Sequence, residues 1–384
     1  MYFPKLSEPP QKRVTVDRFL GLDRRRRASE GALAAMENLT GAHYPALAVR
    51  SRRSAAGTAV KPGGLTAKDA LIWVDGTALY VGGIKTGLVL TEGLKQLVSM
   101  GAYLVIWPDK KYINTKDLTD FGSLERRYES TGTVTLRLCR ADGTDFGDWQ
   151  AGGSAPEGAQ SGALWVDTAA QTPVLRRFDG ESWSAVDGVC VFDGSLPVVV
   201  SQVLGEERYT DAAAGSLDGR YYLSAKGADG AWVLLVYDAR RGLWYAESGV
   251  QAVGFTRAGE SLYALSADGT LWDLTGHDGT QEECVSWMGE SGDLGLSSPE
   301  NRYLQRLDLR MALESGSGVR LYVSYDGGAS WELRGSMQAA GRVQDCLLHV
   351  RPRRAKQLRL RLTGEGDMVL YSVSAVYEKG SDGP

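Results

Sequence analysis

The residues whose types and spacing could do chemistry are few. Ser324-Tyr325-Asp326-Gly327-Gly328-Ala329-Ser330-Trp331 fits the pattern S-x-D-x-G-x-[ST]-W. In that pattern the aspartate accepts hydrogen bonds from a tight turn and the tryptophan packs beneath it. Ser324, Asp326, Gly328 and Trp331 are therefore expected to clasp a hairpin. The competing reading is glycoside hydrolysis, which needs an acid and a nucleophile or base flanking the bond to be cut. No segment presents that set, so no catalytic residue is assigned.

The three histidines, His43, His277 and His349, stand far apart, and no HExxH pair occurs. There is no G-x-S-x-G elbow, no phosphate-binding loop and no dinucleotide fingerprint. Asp142, Asp145 and Asp148 could ligate calcium through oxygen. Asp-Gly turns form without metal, so this loop is read as a turn and no metal or cofactor is expected. Cys139, Cys190, Cys284 and Cys346 form no CxxC pair and are read as reduced thiols, mostly buried.

Two basic clusters remain. Arg24, Arg25, Arg26 and Arg27 are followed by Arg50, Arg52 and Arg53; Arg351, Arg353, Arg354 and Lys356 form the second. Guanidinium groups pair bidentately with carboxylates and phosphates alike. The first cluster is expected to make subunit contacts. The second is expected to contact a neighbouring subunit or DNA phosphates in a channel. Trp149, Trp165 and Trp183 are the candidates for stacking on glycans.

The elements that must position these residues are strands. The chain has 384 residues, a net charge of -4 and 43% hydrophobic residues, enough for a core. The acidic balance argues against nucleic-acid binding by the whole surface. Its 48 glycines against 12 prolines fall between short apolar runs, where they mark turns. No apolar run is long enough to span a bilayer. Met1 to Pro10 lacks an apolar core, so no leader is expected there.

Leu71-Ile72-Trp73-Val74, Asp75-Gly76 and Ala78-Leu79-Tyr80-Val81 read as a hairpin with a type I′ turn. The design recurs at Arg220–Tyr237 across Asp229-Gly230, and at Ser261–Trp272 across Asp268-Gly269. Short strands repeated with dipeptide turns predict propeller blades over 56–283. A loop-rich β insertion is expected at about 140–188, and a sandwich-like module over 284–384. Residues 1–55 are expected to form an extended arm, with a short helix over Glu30 to Leu39. The fold class is all-β.

Three stretches carry a resemblance. They are Phe19-Leu20-Gly21-Leu22-Asp23 through Tyr44-Pro45-Ala46-Leu47-Ala48-Val49-Arg50; Val236-Tyr237-Asp238 with Trp244, Glu247 and Leu262-Tyr263; and Tyr303–Leu307 with Arg351–Ala355 and Leu360–Gly366. Together with the Leu164–Thr168…Trp183 segment, they resemble β-propeller virion proteins of tailed bacteriophages and prophages, nozzle proteins among them. The resemblance implies a non-enzymatic structural protein of the tail or neck, made in the host bacterial cytoplasm. It implies a homo-oligomer or ring component, other tail or neck proteins as partners, and phage DNA in the channel. The alternative is a host-surface or carbohydrate-binding adhesin.

Overall fold

The computed structural model describes residues 11–25, 29–125, 149–169, 174–185, 190–191, 198–294, 302–339, 343–349 and 358–379. Among these the regular structure is all β-strand, apart from one 3-10 turn at Ser201–Leu204. No helix among the described residues is long and apolar enough to cross a membrane. The chain divides into two compact units, one of residues 1–125 with 203–384, the other Arg126–Gln202. The inserted unit is thus wider than the 140–188 expected.

Four blade-type antiparallel sheets make up much of the first unit. Blade I spans Pro62–Val89, blade II Gln96–Ser123 and blade III Tyr209–Ser248. Blade IV runs Ala252–Asp273 and takes Ser54–Thr58 as its next strand. A strand from the start of the chain therefore completes a sheet built far along it. Apolar side chains on the facing surfaces of neighbouring sheets pack them together. Ile72, Val74, Leu79 and Val81 of blade I point one way and meet Leu104, Ile106 and Ile113 of blade II in a single core. Tyr263, Leu265 and Leu271 of blade IV close against Leu65, Leu71 and Trp73 of blade I. Between blades III and IV the inner strands come so close that a Cβ at Gly215 would lie 2.5 Å from Phe255 Cβ. The inner strands thus run side by side in the order II, I, IV, III.

Two further sheets face each other. One runs Leu39–Thr40, Leu47–Val49, Met368–Lys379, Arg302–Leu313 and Val343–His349, with Gln11–Val16 also paired to Met368–Lys379. The other runs Leu33–Glu37, Ser286–Ser291, Arg359–Glu365, Gly318–Ser324 and Glu332–Gln338. Leu309 and Met311 of the first pack toward Val319, Leu321 and Leu362 of the second, leaving a gap of only about 10 Å³. That is sandwich packing.

The N-terminal arm and its helix are not what the sequence suggested. Leu33–Glu37 is a strand paired with Ser286–Ser291. Gly31 at φ 90° and Asn38 at φ 57° bracket it in conformations no helix contains. Helical propensity is a weak prior, and burying Met36 and Leu39 in the sandwich outweighs it. Residues 11–49 supply four strands to the sandwich rather than a free arm.

In the second unit Trp149–Gly152 pairs parallel with Leu164–Asp167, which leads into Val174–Phe178 and Trp183–Ala185. Cys190–Val191 pairs separately with Val198–Val199.

Candidate functional site

Four loops at one end of blades III and IV converge on a cleft of about 720 Å³. The first is the Asp218-Gly219 turn, where both residues have positive φ, 50° and 78°, as a type I′ hairpin requires. The second is Asp238–Gly242, held by the Asp238 carboxylate, which accepts the N–H groups of Arg240 and Arg241 at 3.1 and 3.2 Å. The Ala239 N–H donates to Gly219 O at 3.0 Å and locks these two turns together. The third is the Gly259-Glu260 turn, and the fourth is the loop after Asp273. Thr40, Ala42, Arg50 and Ser51 of the N-terminal passage complete the wall.

The cleft is lined by Arg50, Arg220, Arg240, Arg241 and Arg257, against Asp218, Asp238, Glu247 and Glu260. Three of these arginines face carboxylates. Arg241 Nη1 lies 2.5 Å from Asp238, Arg257 Nη2 3.8 Å from Asp218, and Arg50 Nη1 2.7 Å from Glu282. Arg220 lies beside the Tyr222 hydroxyl. Burial, with Glu247 nearby, pushes the Tyr222 phenol upward, so it is a neutral group. Neither Arg220 nor Arg240 has a carboxylate within salt-bridge distance among the described residues. None of Arg220, Arg240, Arg241 and Arg257 was singled out from the sequence. The available signal was an arginine beside the turn residues at successive hairpin ends.

Of the arginines singled out, two are turned inward. Arg50 and Arg53 were expected at a subunit contact, yet they are only 5% and 3% exposed. Arg50 Nε donates to Asn38 Oδ1 at 2.8 Å, and its two terminal nitrogens reach Glu282 at 2.7 and 3.1 Å. Arg53 Nη2 donates to Glu247 at 2.9 Å and to Ser248 O at 3.1 Å. The network ties the N-terminal passage to blade III, and charges consumed inside the chain cannot also hold a neighbour. Arg24 pairs with Glu207, Arg25 with Asp23 at 2.6 Å, and Arg52 with Asp367 at 3.1 Å. Arg26, Arg27, Arg351, Arg353, Arg354, Lys356 and the Asp142–Asp148 loop lie outside the described residues.

A serine, a histidine and an aspartate meet at the cleft's edge but do not form a relay. Ser261 Oγ lies 3.2 Å from both His277 Nδ1 and Asp273 Oδ2. In a triad the histidine stands between the other two and the carboxylate orients its ring. Here Asp273 accepts the backbone N–H groups of Thr275, His277 and Asp278 at 2.8 to 2.9 Å. Burial alone would raise its pKa; the Thr275 hydroxyl and those N–H donors outweigh burial and hold it low. The cluster shapes a loop.

The clasp read at Ser324, Asp326, Gly328 and Trp331 is present. Asp326 accepts from the Ser324 hydroxyl at 2.7 Å and from the Ser330 N–H at 2.9 Å, and Gly328 N–H donates to Ser324 Oγ at 2.8 Å. Hydrogen bonds from Ser330 and Ser324 hold the Asp326 carboxyl well below the usual range. The Arg361 guanidinium stacks 3.9 Å from the Trp331 ring centre. For glycan stacking the structure is unfavourable. Trp165 is buried, its Nε1–H donates to Gly152 O at 2.9 Å, and Trp183 packs edge-on against it. The Trp149 side chain lies outside the described residues. Cys284, one of the four cysteines expected to be mostly buried, is exposed. No group of three or more metal-ligating side chains assembles among the described residues.

A second surface feature is apolar. On blade II, Val98 faces Val105, Met100 faces Tyr103 and Gln96 faces Trp107. Directly paired residues share a face, so these form one sheet surface opposite the core of blades I and II. On it Val98, Met100, Tyr103 and Trp107 are 37, 61, 40 and 43% exposed.

No protein-family model matches the chain, and no curated protein matches it. Among solved structures, the chain is similar to an exo-β-1,3-galactanase from Phanerochaete chrysosporium, solved with galactose. The identity is 8%, the coverage 85% of this chain and 100% of that one, and the TM-score 0.24. A likeness of that size carries no inference about what this protein does.

Proposed function

We propose that the protein is a non-enzymatic structural component of a tailed-phage virion, a scaffold at the tail or neck that assembles as a ring or joins one. The observation that carries this reading is the exposed apolar face of blade II. A sheet face with two aromatic and two aliphatic side chains in water is costly, at ~25 cal/mol for each Å² left uncovered. A second copy of the chain that covers it would recover that free energy, and a heterologous contact of this kind closes into a ring when the rotation permits. The phage setting rests on the resemblance in the N-terminal passage, the blade strands and the C-terminal sheets.

The test is assembly state. Mass photometry and negative-stain images of the purified full chain should show closed oligomers. Tyr103→Asp with Trp107→Asp should leave monomers whose circular dichroism and unfolding midpoint match the wild type. A wild-type protein that stays monomeric at tens of micromolar in physiological salt overturns the ring reading.

A further inference from the structure

We propose that the cleft between the turns of blades III and IV binds a compact multivalent oxyanion, with Arg220 and Arg240 as its principal ligands. The argument starts from charge. Asp238 neutralises Arg241, Asp218 faces Arg257, and Glu247 and Glu282 together neutralise Arg50 and the buried Arg53 behind it. What remains in the lining is two guanidinium groups, Arg220 and Arg240, and one carboxylate, Glu260. A guanidinium presents a fixed fork of N–H donors that matches the oxygens of phosphate and carboxylate groups.

Local structure fixes where the two arginines leave the backbone. Arg220 lies directly across from Asp238 in the ladder of blade III. The Arg240 side chain lies along Gly219, where an added Cβ would come 3.1 Å from Arg240 Nε. Since Ala239 N–H donates to Gly219 O, the backbone bearing both arginines is one braced unit. A larger residue at position 219 would displace Arg240, and its φ of 78° also favours glycine.

The chemistry of the wall selects the ligand's size. A cleft of about 720 Å³ accepts a ligand of drug-like dimensions. The Glu260 carboxylate lines the same space and repels a long, uniformly charged strand that runs past it. A compact anion seated between Arg220 and Arg240 avoids that repulsion. A pyrophosphate-type group and a small polycarboxylate share the required chemistry.

Isothermal titration of the full-length protein tests this, with pyrophosphate, citrate and a single-stranded oligonucleotide as probes. Pyrophosphate or citrate should bind one per chain, and Arg220→Gln with Arg240→Gln should weaken binding at least tenfold. Whichever of the two binds more tightly identifies phosphate or carboxylate as the better source. Lys116→Gln, an exposed charge on blade II, should change nothing. Glu260→Gln removes the carboxylate left over and should tighten binding several-fold, which keeps the test valid if the double arginine variant misfolds. The proposal is overturned if neither small anion binds at millimolar concentration, if Lys116→Gln weakens binding equally, or if only the oligonucleotide binds.

Discussion

The Arg53 guanidinium donates to Glu247 at 2.9 Å, with 4% and 11% of the two side chains exposed. The residues are 194 positions apart in the chain. Removing one member of a buried pair strands the other charge, at a cost of ~3–5 kcal/mol. Glu247→Ala should therefore lower the stability of the first unit by about that amount. Arg53→Met with Glu247→Met should cost less than Glu247→Ala alone. Guanidinium chloride unfolding of the three proteins measures both.

Asn38 combines a left-handed backbone with a side chain at the centre of the same network. Its Oδ1 accepts from Arg50 Nε at 2.8 Å and Ser248 N–H at 2.9 Å, and its Nδ2 donates to Ser286 O at 2.8 Å. Asn38→Gly keeps the backbone and loses the hydrogen bonds, so it should cost ~1–3 kcal/mol. Asn38→Leu also strains the backbone at φ 57° and should cost more. Thermal unfolding should rank them in that order.

Acid should weaken the fold through Asp273, Asp109 and Glu282. Burial would raise all three, but hydrogen bonds and ion pairs from Thr275, Lys95 and Arg50 outweigh it and hold each below its ordinary value. Groups with depressed folded pKa values stabilise fully above their unfolded pKa, about 4, and lose that contribution as pH falls through the folded value. Stability should be level from pH 7 to 5 and drop below about pH 4. Urea unfolding of Asp273→Asn should show a shallower acid limb than the wild type.

Trp165 is the core of the second unit, not a sugar platform. Trp165→Ala should cost ~3–5 kcal/mol by emptying that core. Limited proteolysis should then cut first within 126–202, and the pattern elsewhere should be unchanged. Unchanged resistance within 126–202 would refute the assignment.

Much of the fold was legible because its signals are local. Asp75-Gly76, Asp229-Gly230 and Asp268-Gly269 each lie at a hairpin end, with Gly76, Gly230 and Gly269 at positive φ. The Asp326 clasp was legible because all its bonds lie within a few residues. Glu30 to Leu39 was misread because its strand state depends on Ser286–Ser291, far along the chain. Arg50 and Arg53 looked like surface charge because Glu247 and Glu282 stand 194 and 232 residues away. The arginine cleft was hidden for the same reason: Arg220, the Arg240-Arg241 pair and Arg257 sit at three separate hairpin ends, brought together by the blade III ladder and by the packing of blade IV beside it.

The pairing of Gln11–Val16 with Met368–Lys379 has a temporal consequence. Gln11 pairs with Glu378, so the ribosome must add 367 residues before that ladder can form. At roughly 5–20 residues per second, the first strand waits about twenty seconds to more than a minute. Ser54–Thr58 also waits, since blade IV cannot accept it until Thr270–Asp273 has emerged. The first unit therefore cannot finish folding vectorially during synthesis, and a truncated nascent chain would keep its leading strands unpaired and open to chaperones.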